Sequence, residues 1–152
     1  MTARTFAALC GVLYLGLGVS GFVPAFWERA SGGPSLSIRV FQASLFGVFA
    51  VNIIMSMMHL VLGLWAAMAA NNRYSSLGFA RAGSIVFLLL GVAGLIPVPE
   101  VQTLFGTVPL FGNNVWLHLA TAAVGAFFAF RPGYEITQIG MQETMNPHMP
   151  SK

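Results

Sequence analysis

One cysteine, one lysine and no aspartate stand in a chain of 152 residues, and only 7% of its residues carry charge. With Cys10 alone there is no internal disulfide, no cysteine-pair redox motif and no cysteine-rich metal site. The four acids, Glu28, Glu100, Glu135 and Glu143, all fall outside the long uncharged runs, and no Ser-His-acid grouping, zinc-ligand spacing or glycine-rich phosphate loop is present. Soluble-type catalysis is therefore not expected, and neither a metal site nor catalytic residues are assigned. The six arginines and Lys152 form no basic run, which argues against a nucleic-acid partner.

What the chain has is apolar surface. Hydrophobic residues make up 57% of it, more than a water-soluble fold of this size could bury, and 17 glycines suit helices that approach closely in lipid. The composition names a bilayer as the solvent.

An internal repeat organises the sequence. Leu45-Phe-Gly-Val-Phe-Ala-Val-Asn-Ile-Ile-Met-Ser-Met-Met-His59-Leu60 returns as Leu104-Phe-Gly-Thr-Val-Pro-Leu-Phe-Gly-Asn-Asn-Val-Trp-Leu-His118-Leu119 with the same leucine-to-histidine interval. Gly18-Val-Ser-Gly-Phe-Val-Pro24 likewise returns as Gly91-Val-Ala-Gly-Leu-Ile-Pro97. Because that second motif closes a later apolar run, the first run reads as a retained member of the repeat rather than a cleaved signal peptide.

The expected architecture is all-α: a polytopic four-helix membrane bundle built from two similar helix pairs, with spans at about 6–26, 52–70, 78–98 and 113–130. The first is long enough for ~30 Å of hydrocarbon at about 1.5 Å per residue. The uncharged stretch 40–72 is too long for one crossing, so 41–51 is assigned to the interface or a re-entrant segment and Asn52 to the start of a span. Residues 71–76 read as a polar turn, Gly112-Asn113-Asn114 as a capped helix start, Arg131-Pro132-Gly133 as a stop, and 134–152 as a flexible polar tail. Arg4, Arg73, Arg81, Arg131 and Lys152 fall on one side of such a bundle and Arg29 and Arg39 on the other, which places both termini in the cytoplasm and the protein in the inner, cytoplasmic membrane.

The motifs Gly18-x-x-Gly21-Phe-Val-Pro24, Leu45-Phe-Gly-x-Phe-x-Val-Asn52, His59-Leu-x-x-Gly63 and Asn113-Asn114-x-x-Leu117-His118-Leu119 resemble those of a bacterial family, domain of unknown function four-three-eight-three. The resemblance implies a small four-helix integral membrane protein with no established activity. Two departures from the family pattern are Asn113, where an acid is usual, and Ser-Met-Met before His59, where relatives read Asn-Leu-Val.

On helices, Asn52, Ser56, His59, Gly63 and Ala67 share one stripe, and Asn114, His118, Ala122, Gly125 and Ala129 another. Imidazoles in hydrocarbon are costly unless turned inward, so His59 and His118 are expected in the interior at similar depth. The leading reading is structural: neutral rings hydrogen-bonded to Asn52, Asn114, Ser56, Thr121 or a carbonyl, with Asn113 and Asn114 as caps and Gly18, Gly21, Gly63, Gly91, Gly94 and Gly125 as helix-packing positions. This fits a non-catalytic membrane protein, an accessory subunit beside other membrane subunits or a small stress-related protein, with no cofactor. One alternative makes His59 and His118 axial ligands of haem or chlorophyll, with glycines giving room for the flat ring. Another is a proton or ion pathway.

Overall fold

The computed structural model describes residues 2–29 and 32–130. The expected stop at Arg131 and the tail 134–152 lie outside the described residues.

The first three long helices each start where a side chain takes up a free amide. α1 (Ala3–Ser20) begins behind Thr2, whose hydroxyl accepts from the Thr5 N–H at 3.3 Å while the Thr2 N–H donates to the Thr5 hydroxyl. Asn52 caps α2 (Ile53–Ala69), its Oδ1 accepting from the Met55 N–H at 2.9 Å, and Asn72 caps α3 (Arg73–Leu95), accepting from the Ser75 N–H at 2.8 Å. The cap at Asn72 carries helix into residues read from sequence as a turn. A short α4 (Pro99–Gln102) and α5 (Asn113–Phe130) complete the helices. By length and composition α1 and α3 can each cross a membrane, and α2 is a shorter apolar helix of 17 residues.

The chain is mostly helical, but it is not all-α. After a 3₁₀ turn at Pro24–Phe26, strands β1 (Trp27–Glu28), β2 (Ala43–Leu45) and β3 (Phe49–Val51) form an antiparallel sheet in the order β1-β2-β3, with Trp27 opposite Leu45 and Leu45 opposite Phe49. The reason lies at Phe46 and Gly47, which take φ of 54° and 69° and so reverse the chain where a helix would need negative φ. The stretch expected to re-enter or lie at the interface is thus a hairpin.

The helices pack as two pairs, α1 with α2 and α3 with α5, and the pairs meet chiefly along α1 and α3. Matching contacts hold each pair. A Cβ on Gly18 would lie 2.7 Å from the Leu60 nitrogen, and one on Gly91 2.6 Å from the Leu119 side chain. Gly18 and Gly91 are repeat partners, and so are Leu60 and Leu119, so both pairs are built on the same close approach.

Large apolar side chains lie on the outward faces of the helices as well as in the core. Inward faces carry Gly, Ala, Ser, Asn, His and aromatic rings, whereas Val12, Val61 and Leu89 are exposed at 75%, 68% and 65%.

Candidate functional site

The sequence points to the two histidines, and the structure places both in one buried seam. His59 and His118 are each 2% exposed. Rings run across the junction between the helix pairs in the order His59, Tyr14, Phe87, His118. Their centroids are 5.4 Å apart for His59 and Tyr14, 4.9 Å for Tyr14 and Phe87, and 5.8 Å for Phe87 and His118. The central pair is stacked at 19°. Tyr14 and Phe87 are themselves repeat partners, each one helical turn before the first glycine of its Gly-Val-x-Gly motif. That register was the available sign of them, hidden because aromatic residues are ordinary inside an apolar run.

One polar contact crosses the same junction. The Thr121 hydroxyl donates to the Leu117 carbonyl at 2.8 Å, so it accepts from the Tyr14 hydroxyl, also at 2.8 Å. The repeat places Leu62 where the second half has Thr121, and Phe87 where the first half has Tyr14. Tyr14 and Thr121 are thus the polar members of two repeat pairs whose counterparts, Phe87 and Leu62, are apolar.

At the sheet end the two asparagines do reciprocal work. Asn52 Nδ2 donates to the Ile38 carbonyl at 3.0 Å in its own half and to the Thr107 carbonyl at 2.7 Å in the other. Asn114 Nδ2 donates to the Pro109 carbonyl in its own half and to the Ala50 carbonyl in the other, both at 2.7 Å. Asn113 reaches the Val48 carbonyl at 3.1 Å, and the Ser56 hydroxyl donates to the Asn52 carbonyl at 2.9 Å. The three asparagines thus bind backbone carbonyls across the two halves.

With the asparagines so engaged, the hydrogen bonds expected from His59 to Asn52 or Ser56 do not form. Both ring nitrogens of His59, Nδ1 of His118 and Oδ1 of Asn114 are buried without a partner.

The glycines are filled by protein. A Cβ at Gly63 would meet the Leu15 nitrogen, one at Gly21 the Ser56 hydroxyl, one at Gly94 the Leu110 carbonyl, and one at Gly125 the Phe6 ring at 3.1 Å. The space a planar macrocycle would need between the histidines holds the Tyr14 and Phe87 rings. The residues do not fit a haem or chlorophyll here.

No group of three or more His, Cys, Asp or Glu gathers among the described residues. Glu28 lies in β1 and Glu100 in α4, away from the seam. A separate cavity of about 500 Å³ opens at the sheet end, lined by Gln42, Ser44, Gln102, Phe111 and Asn113 among others, with no charged side chain.

Residues 4–131 match the family model described as Domain of unknown function (DUF4383). The chain belongs to this family. No curated protein and no solved structure matches it. For this member of DUF4383, the paired His-Leu motifs coincide with the seam, because each histidine packs on an aromatic ring while the leucine beside it covers a glycine.

Proposed function

We propose that this DUF4383 protein is a non-catalytic integral membrane protein that crosses the cytoplasmic membrane four times, with both termini inside, and serves as a structural or accessory component among other membrane subunits. The observation that carries the reading is the sealed seam: the two imidazoles are packed on aromatic rings rather than opened toward a substrate or cofactor. The apolar perimeter of α1, α2, α3 and α5 supports four crossings, since burying it in lipid removes it from water without a partner protein. The small inward faces support a packing role for the glycines.

Isolation in mild detergent tests this. The protein is expected to leave the membrane with other subunits, colourless and unchanged in absorption when haem is supplied. A solitary particle that turns over a substrate, or a stable haem spectrum lost in His59→Phe, would end the proposal.

Proton or ion passage is a second reading, favoured by the unpartnered polar atoms of His59, His118 and Asn114 in the interior. It requires proteoliposome flux that disappears when both histidines are replaced by phenylalanine. Unchanged flux removes it.

A further inference from the structure

We infer that the cavity at the sheet end binds a neutral, hydroxyl-rich ligand of monosaccharide size. The inference goes beyond the membrane reading and does not depend on it. At about 500 Å³ the cavity is in the range that holds small molecules. Its polar side chains are three amides and one hydroxyl, from Gln42, Gln102, Asn113 and Ser44, and Phe111 is the aromatic ring in the lining.

One face of the sheet borders the cavity. Glu28 lies opposite Ser44 and Ser44 opposite Ala50, so the three side chains share a face, and Ser44 and Ala50 both line the cavity. Glu28 stands at the rim: a Cβ on Gly47, itself a lining residue, would lie 2.8 Å from its carboxylate.

The fold leaves hydrogen-bonding capacity unused here. Gln102 gives its Nε2 to the Gly94 carbonyl at 3.0 Å and Asn113 its Nδ2 to the Val48 carbonyl at 3.1 Å, which fixes both amides and leaves Oε1 and Oδ1 as acceptors. The side chains of Gln42 and Ser44 have no hydrogen-bond partner among the described residues, although Ser44 is only 9% exposed. Their repeat partners differ. Val101 stands for Gln42, and Thr103 stands for Ser44 but spends its hydroxyl on the Pro99 carbonyl and the Gly106 N–H. The open polar groups of β2 and the turn before it thus belong to the first half alone.

These groups select a class of ligand. Two amide oxygens and the Glu28 carboxylate only accept, whereas Gln42 and Ser44 donate or accept. The occupant must bring several donors and also some acceptors, and it carries no negative charge, since no cation lines the cavity and a carboxylate stands at its rim. Sugar hydroxyls meet both demands. The C–H face of a sugar ring suits Phe111, which is half-buried against Gly33, where a Cβ would collide with the ring.

Saturation-transfer NMR on the full chain in phosphatidylcholine nanodiscs tests this, with glucose, myo-inositol and gluconate as probes. Transfer to the C–H protons of glucose and myo-inositol is expected, with gluconate bound at least about fivefold more weakly because its carboxylate meets Glu28. Gln42→Ala should weaken glucose about tenfold, the worth of one hydrogen bond. Ala50→Leu, which fills the cavity, should abolish transfer, and Phe105→Ala, at the same end but outside the lining, should change nothing. Thermal melting checks that each variant is folded. Discs that also contain monoglucosyl diacylglycerol identify the source: loss of the free-glucose signal there supports a lipid headgroup, and an unchanged signal supports a free sugar. No transfer from the folded wild type, equal transfer in Gln42→Ala, or gluconate bound as well as glucose would each overturn the inference. Protein that never enters discs would remove the membrane reading instead, and the same titration in buffer would still test the cavity.

Discussion

Tyr14 and Phe87 stack 4.9 Å apart and 19° from parallel at the junction of the two helix pairs. Each is also the ring on which its own half's histidine rests. A repeat that places one aromatic residue at the same position in each half thus generates both the interface between halves and the support for the imidazoles.

The hydroxyl of Tyr14 is the polar part of that interface. In a double-mutant cycle of Tyr14→Phe and Thr121→Val, followed by denaturant unfolding in micelles, a coupling of about 0.6–1.7 kcal/mol is expected, the range for hydrogen bonds between helices in lipid. Zero coupling would mean that the two hydroxyls do not meet.

Gly18 and Gly16 occupy one helix but face different surroundings. A Cβ at Gly18 would press on the Leu60 nitrogen, whereas nothing lies within 4 Å of one at Gly16. Gly18→Ala should destabilise by about 1–3 kcal/mol through overpacking, and Gly16→Ala should be neutral or stabilising by up to about 1 kcal/mol through helix propensity. The same unfolding titration reads both.

Asn52 and Asn72 are both helix caps, yet only Asn52 is buried and only Asn52 also holds carbonyls from both halves. Asn52→Leu strands the Met55 N–H and the Ile38 and Thr107 carbonyls, and each buried orphan costs about 1–3 kcal/mol. Asn72→Ala loses a surface cap worth about 1 kcal/mol. A larger loss of stability at Asn52 is the expected order.

Much of this was legible before the structure. The repeat marks His59, His118 and the Gly18 and Gly91 contacts, because close approach and buried polarity both demand particular residue types at fixed spacing. Gly112-Asn113-Asn114 marks the start of α5, since the chain reverses at Gly112, whose φ is 66°, but the asparagine amides expected to cap it donate to the Val48 and Ala50 carbonyls of the other half. The hairpin at 43–51 was not legible: only Gly47 punctuates an apolar stretch, and Phe46 adopts a left-handed φ that its side chain disfavours. Nor were the bonds from Asn52 and Asn114 across the halves, because their acceptors are backbone carbonyls, which leave no trace in side-chain identity. The unpartnered nitrogens of His59 follow from that same invisible competition.

Sidedness tests the four-crossing arrangement most directly. In a Cys10→Ala background, single cysteines at Phe46, Phe105 and Tyr74, all exposed positions, are treated in intact cells with a maleimide that cannot cross the membrane. Phe46→Cys and Phe105→Cys at the sheet end should be labelled at once, and Tyr74→Cys at the opposite end only after permeabilisation. Labelling of Tyr74→Cys together with Phe105→Cys in intact cells would contradict two like helix pairs spanning the bilayer.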